Sequence, residues 1–124
     1  MAIARIKAVV ADIDGTLTDM LRHISTDAVI AIRKLPMPVV LATGNVICFV
    51  RAASKLIGAS DAMIGENGGV VQAGYDSKPL VLADIEECKR AAAVLQKHFP
   101  GLEQLDARYR MSELAFRRTI DAGR

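Results

Sequence analysis

The sequence predicts an α/β fold with a parallel sheet, followed by a smaller α+β segment. Three short apolar stretches alternate with two stretches whose apolar residues recur every three or four positions, which is typical of strands alternating with helices. The chain has 124 residues, of which 52% are apolar, so its length fits one domain with a core. The pattern changes after Gly69, where two further short strands and a third helix are expected.

The first half of the chain contains the elements of the α/β layer. Residues 6–11 form a nearly continuous apolar run, which predicts a central strand covered on both faces. Ser25 is a candidate cap for a helix to about Leu35, where two prolines end it. The remaining elements are a strand over residues 39–42, a helix with the apolar stripe Val46, Phe49, Val50, Ala53 and Ile57, a stop at Gly58, and a strand over residues 62–64.

The second half predicts a hairpin, a helix and another strand pair. Residues 70–72 and 80–82 are expected to pair, and Asp84 with Glu87 is similar to the capping box of a helix that ends at Pro100. Apolar residues alternate with arginines over residues 107–111, which predicts a half-exposed strand with residues 114–116 as its hairpin partner. We therefore divide the chain into a core over residues 1–82 and the beginning of an α+β module over residues 83–124.

Composition and charge argue against several classes of function. Sixteen basic and fourteen acidic residues give a net charge of +2, which provides no strong field for nucleic acid, and 4% aromatic residues do not favour base stacking. No apolar run approaches the roughly 20 residues that span a bilayer, and residues 1–5 lack the apolar core of a signal peptide. Cys48 and Cys88 are isolated, so we expect reduced, buried thiols in a cytoplasmic protein.

Two carboxylates follow the first strand. Asp12 and Asp14 are separated by one residue, and alternate residues of an extended chain share a face, so both side chains are expected at one place. Carboxylates at the end of a buried strand are costly unless a cation or hydrogen-bond donors meet them. An Asp-Gly turn after a strand is the simpler interpretation of Asp14 and Gly15. The whole run of residues 9–19 favours phosphoryl chemistry, with a Mg²⁺ site and a carboxylate nucleophile.

A second polar segment follows the second strand. Thr43, Gly44 and Asn45 precede a helix, where free amides and the positive end of the helix dipole favour an anion. In isolation these three residues are typical of a helix cap. Paired with Asp12 and Asp14, they predict a phosphate-binding loop.

The motifs resemble those of a known enzyme family. Residues 12–18 match the DxDGT(L/V)T motif of haloacid dehalogenase superfamily phosphatases, Thr43 fits the family's second motif, and residues 66–69 are similar to the ENG(A/G) segment of its Cof-like branch. The resemblance implies a Rossmann-like core with a parallel sheet and the start of a small α+β cap. Within that branch, the compact core and short lid most resemble archaeal-type phosphoglycolate phosphatases.

The resemblance also implies a role for each motif residue. Asp12 would attack phosphorus and form an aspartyl-phosphate, and Asp14 would protonate the leaving alkoxide and then activate water. The Asp12 carboxylate and the Asp14 backbone carbonyl would hold Mg²⁺. Thr43 would hydrogen-bond a phosphoryl oxygen, beside Gly44 and Asn45. The expected partner is a small phosphorylated metabolite, with no nucleic acid and no membrane, and a homodimer is left open.

The sequence departs from the family in part of the catalytic set. The family has a later Lys and a Gly-Asp motif that completes the metal shell, and this sequence has neither after the lid. We therefore expect the chain to be the N-terminal portion of such an enzyme, through truncation, an early stop or splitting, with little or no phosphatase activity alone. Three functions stay open: a phosphoglycolate phosphatase, a sugar-phosphate phosphatase, and a non-catalytic remnant that binds phosphate or a partner protein.

Other polar residues have two interpretations each. Glu66 and Asn67 either shape the pocket mouth or form the turn before the hairpin. Four arginines either meet a substrate carboxylate from the lid or lie on a solvated strand face: Arg108, Arg110, Arg117 and Arg118.

Overall fold

The computed structural model describes residues 5–119. The expectations for residues 1–4 at the start and for the polar end at residues 120–124 lie outside this part of the chain. Its elements are, in order, β1 (Val9–Asp12), α1 (Thr26–Lys34), β2 (Val39–Ala42), α2 (Ile47–Ile57), β3 (Met63–Gly65), a 3-10 turn (Glu66–Gly68), β4 (Val70–Gln72), β5 (Leu80–Val81), α3 (Ile85–His98), β6 (Glu103–Leu105) and β7 (Ala115–Arg117).

One five-stranded sheet carries the first half of the chain. Its order is β1-β2-β3-β4-β5, in which the first three strands run parallel and the last two form an antiparallel hairpin. The parallel connections pass through α1 and α2, as the expected α/β layer requires. Asp12 is in register with Ala42, so the segments that follow β1 and β2 meet at one edge of the sheet.

Both core helices cover the same face of the sheet. The buried apolar cluster combines alternate strand positions with the inner sides of the two helices, and it comprises Ile13, Ile32, Val39, Leu41, Ile47, Val50, Ile57, Met63 and Val70. The opposite face is formed by the intervening strand positions. There Val10 of β1 is 61% exposed and Leu80 of β5 is 60% exposed, so this face carries uncovered apolar side chains.

The first strand is shorter and less covered than expected. β1 begins at Val9, and within residues 5–119 it pairs only with β2, at an edge of the sheet. Val10 and Asp12 are exposed because the helices pack only on the side of Val9 and Ala11. The prediction of a central strand covered on both faces is therefore wrong for the described chain. An apolar run indicates that a strand can be buried, but it does not identify the neighbours that bury it.

The lid, as we call α3 with β6 and β7, contains an antiparallel ribbon in which Gln104 lies opposite Phe116. The prediction of a strand over residues 107–111 is wrong, as is its pairing with residues 114–116. Asp106 has a φ of 53°, and the Tyr109 amide donates to the Asp106 carbonyl at 2.9 Å, so the chain turns there. Aspartate tolerates the left-handed region better than most residues, which allows a turn inside an alternating run.

The helix ends show which capping signals act. Gly58 ends α2 with a φ of 83°, a left-handed conformation that suits glycine. The Asp84 carboxylate starts α3 and accepts a hydrogen bond at 2.9 Å from the amide two residues on. Ser25 starts α1 without a side-chain cap hydrogen bond. Glu87 pairs with Arg90 at 3.7 Å, and its side chain does not close a capping box on Asp84.

The cysteines differ in their exposure. Cys88 is partly buried, but Cys48 is exposed, so the expectation of a buried thiol is wrong for Cys48. The apolar face of α2 passes through Ile47 and Val50 and leaves Cys48 outside. Among residues 5–119, the structure contains no helix with the length and apolar character needed to cross a bilayer.

Candidate active site

The segment after β1 folds into a tight turn around one carbonyl. The amides of residues 16–18 all donate to the Ile13 carbonyl, at distances between 3.0 and 3.3 Å. The Ile13 side chain is buried in the core, so the turn is anchored to the sheet. Gly15 has a φ of 80°, which residues with a side chain rarely adopt. The carboxylates of Asp12 and Asp14 are left exposed on the outside of the turn.

The Asp12 carboxylate is held at one oxygen and free at the other. The Thr16 hydroxyl donates to Asp12 Oδ2 at 3.2 Å. Asp12 Oδ1 accepts no hydrogen bond from residues 5–119. One oxygen thus orients the group, while the other keeps its lone pairs available for a phosphorus atom or a cation.

Thr43 is fixed on three sides by the neighbouring loop. Its amide donates to the Ile64 carbonyl, and its own carbonyl accepts from the Asn67 amide, both at 3.1 Å. The Thr43 hydroxyl oxygen accepts from the Asn45 amide at 3.1 Å. The residue is 5% exposed, and its hydroxyl proton has no acceptor within the described chain. The hydroxyl is therefore a positioned donor.

The loop already uses two of the amides that were expected to face an anion. The Asn45 amide donates to Thr43, and the Val46 amide donates to Asn45 Oδ1 at 2.8 Å. The Gly44 amide has no partner in the described part of the chain. Gly44 therefore offers its amide to an anion, whereas anion binding by Asn45 stays a prediction.

Two adjoining cavities lie at this edge of the sheet. The first, of about 230 Å³, contains Asp12 and Thr43 among its lining residues. The second, of about 220 Å³, is lined by Asp14, Arg22, Gly44, Asn45, Leu105, Asp106 and Arg110. Gly44 lines both cavities, so they adjoin, and we refer to them together as the cleft and to each cavity as one of its ends. Taken together, the two ends reach only the lower part of the about 300–1,000 Å³ range of typical small-molecule pockets, which suits a small ligand.

The carboxylates supply part of a shell for a divalent cation. Mg²⁺ takes oxygen ligands and usually keeps several waters beside one or two carboxylates. Asp12 and Asp14 are exposed oxygen donors at one edge of the sheet, and this donor set suits that ion. Within residues 5–119, no group of three or more His, Cys, Asp or Glu side chains could hold a metal ion. The described chain thus offers the Asp12 carboxylate and the Asp14 backbone carbonyl as candidate ligands, and Mg²⁺ at this place stays a prediction.

Glu66 attaches the lid to the core. It is 1% exposed, and its carboxylate accepts from the Met111 amide at 3.0 Å and from the Ser112 amide and hydroxyl at 2.8 Å each. The pocket-mouth interpretation therefore does not apply to Glu66. Asn67 lines the Asp12 cavity and donates to both carboxylate oxygens of Glu113 at 3.1 Å, so it contacts the cleft and the lid.

Of the two interpretations of Arg110, the solvated strand face is wrong, because the residue lines the second cavity. Its side chain is 6% exposed, and Nη1 donates to Glu113 at 2.6 Å and to the Gly44 carbonyl at 3.1 Å. Asp106 has a positive φ and turns the chain before Arg110. The aspartate itself is the sequence signal for this turn, since aspartate is common in turns. By contrast, Arg108 and Arg117 are exposed, as a solvated face requires.

Known proteins with related sequences cover the same elements. Residues 9–106 match the family model of haloacid dehalogenase-like hydrolases. The chain is 55% identical over 115 residues to a phosphoglycolate phosphatase from Archaeoglobus fulgidus and 47% identical over 117 residues to one from Methanosarcina mazei. The matches cover 93% and 94% of this chain but 51% of each relative. The chain therefore spans about half the length of these curated relatives.

Solved structures show the same fold. A crystal structure from Thermoplasma acidophilum superposes with a TM-score of 0.78 at 31% identity, covering 95% of this chain and 52% of that one. A haloacid dehalogenase-like hydrolase from Bacteroides thetaiotaomicron has a TM-score of 0.65 at 20% identity, which supports the fold alone, over 94% of this chain and 46% of that one. Because the family model covers most of this α/β sheet and its loops, the chain belongs to the haloacid dehalogenase-like hydrolase family.

Proposed function

We propose that the chain is the nucleophile-bearing part of a phosphate monoester hydrolase that acts through an aspartyl-phosphate. The observation that carries this proposal is the single cavity lined by the Asp12 carboxylate and Thr43. A carboxylate oxygen without a hydrogen bond is paired there with a buried hydroxyl donor, which suits attack on a phosphoryl group.

In the first step, Asp12 Oδ1 forms a bond to phosphorus as the bond between phosphorus and the ester oxygen breaks. The electron pair of the broken bond goes to the leaving alkoxide, which takes a proton from the Asp14 carboxyl group. The Thr43 hydroxyl and the Gly44 amide donate to phosphoryl oxygens and hold the group in line. The products of this step are a free alcohol and phosphorylated Asp12.

In the second step, the Asp14 carboxylate takes a proton from water, and the water oxygen attacks phosphorus. The bond between Asp12 and phosphorus breaks, inorganic phosphate leaves, and the Asp12 carboxylate is restored. Asp14 ends the cycle protonated, as it began. Two moderate barriers thereby replace one very high barrier, since unaided phosphate monoester hydrolysis is among the slowest reactions known.

The proposed cofactor is Mg²⁺, held by the Asp12 carboxylate and the Asp14 backbone carbonyl. Phosphatases of this family generally use a divalent metal. Such an ion neutralises charge on the transferring phosphoryl group. The residues described here supply only part of its shell, so we expect the 124-residue chain alone to hydrolyse phosphate esters slowly or not at all.

The proposed substrate is 2-phosphoglycolate, which is small enough for the two-ended cleft. The proposal rests on the names of the relatives from Archaeoglobus fulgidus and Methanosarcina mazei, both phosphoglycolate phosphatases. We also propose a cytoplasmic location, where the thiols of Cys48 and Cys88 would stay reduced. A sugar phosphatase is among the proteins of related fold, at 21% identity, and a sugar phosphate is therefore the competing substrate in the test.

A hybrid enzyme tests the proposal. Residues 1–119 replace the matching half of the Archaeoglobus fulgidus relative, whose remaining half follows unchanged. We expect Mg²⁺-dependent hydrolysis of 2-phosphoglycolate, faster than that of hexose phosphates, with equal rates for the two substrates contradicting the substrate assignment. A folded hybrid that releases no phosphate would contradict the proposed activity and favour a non-catalytic phosphate-binding role.

Two aspartate variants separate the nucleophile from general charge effects. Asp12→Asn removes the attacking carboxylate and is expected to lower the hybrid's turnover at least about a thousandfold, in line with the loss of a covalent nucleophile. Asp27→Asn, in the exposed first turn of α1, is the matched control and should leave turnover within about twofold. Comparable activity in both variants would rule out Asp12 as nucleophile.

A further inference from the structure

We propose that Arg110, together with Arg22, binds a carboxylate on the leaving-group side of the substrate. This inference rests on the proposed function and deepens it, because it assigns substrate selection to particular residues. The chemical class recognised is a small phosphorylated hydroxy acid, in which one carbon atom carries both the ester oxygen and the carboxylate group.

The guanidinium of Arg110 has one occupied side and one edge without hydrogen-bond partners. Nη1 is committed to Glu113 and to the Gly44 carbonyl. Nε is buried and has no hydrogen-bond partner, and Nη2 donates to no atom within residues 5–119. Burying an N–H donor without a partner is unfavourable, so a bound acceptor is favoured at this unpaired edge.

The Nε–Nη2 edge has the geometry of a carboxylate receptor. Two parallel N–H groups on a planar guanidinium match the two oxygens of a carboxylate, and such bidentate pairs are stronger and more directional than single contacts. The Arg110 side chain is 6% exposed, so little water competes for this edge. Glu113 holds the Arg110 guanidinium in place, so binding a ligand costs little side-chain entropy.

The position of Arg110 in the cleft identifies which part of the substrate it meets. Asp12 and Thr43 line one end, whereas Asp14 and Arg110 line the other, with Gly44 in common. In the proposed reaction the leaving oxygen must face Asp14, which protonates it. A substituent on the leaving group therefore lies in the cavity that contains Arg110.

Arg22 adds a second cation to the same cavity. The Asp19 carboxylate organises its loop by accepting from the Leu21 and His23 amides at 2.8 and 2.9 Å, and Arg22 adopts a φ of 64°. Asp14 and Asp106 are the acidic residues that line the cavity, and Glu113 pairs with Arg110 Nη1. Arg22 and Arg110 are thus the two positively charged groups that a ligand carboxylate would contact in this cavity.

Ligand titrations of the 124-residue chain test the inference. Inorganic phosphate, ethyl phosphate and 2-phosphoglycolate are added at constant Mg²⁺, and NMR follows the Gly44 amide and the Arg110 Nε–H signals. Ethyl phosphate has the same phosphate group and a similar size but no carboxylate. We expect all three ligands to shift Gly44, only 2-phosphoglycolate to shift Arg110 Nε–H, and 2-phosphoglycolate to bind at least about tenfold more tightly than ethyl phosphate.

A matched pair of variants separates the bidentate edge from charge. Arg110→Lys keeps the charge, loses the planar edge and should reduce the preference for 2-phosphoglycolate to less than about threefold. Arg108→Lys changes an exposed arginine of the same segment and should leave the preference unchanged. The Met111 and Ser112 amide signals report whether the lid stays docked in the Arg110→Lys variant. If the lid is displaced, the carboxylate assignment is decided by the Arg110 Nε–H response of the unsubstituted chain.

The outcomes separate this inference from the proposed function. If no ligand shifts Gly44, the proposed phosphate site is wrong. If ethyl phosphate shifts Gly44 but 2-phosphoglycolate binds no more tightly, or leaves Arg110 Nε–H unmoved, only the carboxylate assignment is overturned. If Arg110→Lys weakens ethyl phosphate as much as 2-phosphoglycolate, Arg110 contacts the phosphoryl group instead, which also overturns the assignment.

Discussion

Replacing Glu66 by glutamine removes the negative charge that holds the lid on the core. Oε2 accepts from the Met111 amide and from the Ser112 amide and hydroxyl, while Oε1 shares the Met111 amide. Glutamine keeps the shape of the side chain but has one carbonyl oxygen to accept hydrogen bonds. Its NH₂ group then faces a donor of Met111 or Ser112, which it cannot satisfy. Hydrogen bonds to a charged group contribute about 1.5–3 kcal/mol and neutral ones about 0.5–1.5 kcal/mol, so the change should weaken lid docking by about 2–4 kcal/mol.

Hydrogen exchange measures that loss at the contact itself. An opening free energy lower by about 2–4 kcal/mol corresponds to about 30- to 700-fold faster exchange of the Met111 and Ser112 amides, at tenfold per 1.4 kcal/mol. Glu86→Gln is the matched control, because Glu86 is 61% exposed and pairs with Lys89 at the surface. It should change exchange at these amides less than about twofold. Equal exchange rates in the two variants would refute the reasoning.

Three further predictions concern packing, capping and turnover. Gly69→Ala places a methyl group against Ser112 Oγ and within 2.6 Å of Ser112 Cβ, so it should lower the free energy of unfolding in urea by about 1–3 kcal/mol. Gly101→Ala, whose methyl group meets nothing within 4 Å, should change that free energy by less than about 0.5 kcal/mol. Similar losses in the two variants would contradict the contact with Ser112. Asp84→Ala removes the α3 cap and should cost about 1 kcal/mol in the same assay, whereas Ser25→Ala should cost less than half of that, since Ser25 makes no cap hydrogen bond. The 124-residue chain with Mg²⁺ should release little p-nitrophenol from p-nitrophenyl phosphate, and robust turnover abolished by Asp12→Asn would show that the two described carboxylates suffice.

The sequence predicted the α/β layer well because its signals are local. Val39–Ala42 is an uninterrupted apolar run, and Gly58 and Asp84 mark helix ends by their own conformational and hydrogen-bonding preferences. The order of the motifs then followed from the alternation of strands and helices. Asp12 and Thr43 lie on adjoining strand ends, because β1 and β2 are parallel neighbours.

The lid was predicted less well because its structure depends on distant contacts. Residues 107–111 alternate like a strand, yet they turn, and the following segment is held by Glu66, more than forty residues earlier. The periodicity of apolar residues in the sequence also gives no sign that Arg110 is buried against the Gly44 carbonyl. A buried arginine or glutamate is stabilised only by partners that the fold supplies, and the pattern of apolar residues does not identify them.

The position of Gly44 between the two cavities has a consequence for how such an enzyme can change over evolutionary time. The end that contains Asp12 is lined by residues at and after the ends of β1, β2 and β3, whereas the end that contains Arg110 is completed by the lid. Substitutions in the lid can therefore alter which alcohol is released while bond cleavage stays intact. A side chain at position 44 could not be accommodated so simply, since its Cβ would lie 2.8 Å from Asn67 Oδ1. Under the proposed function, selectivity can thus change through the lid, whereas Asp12, Asp14 and Gly44 must be kept for the chemistry.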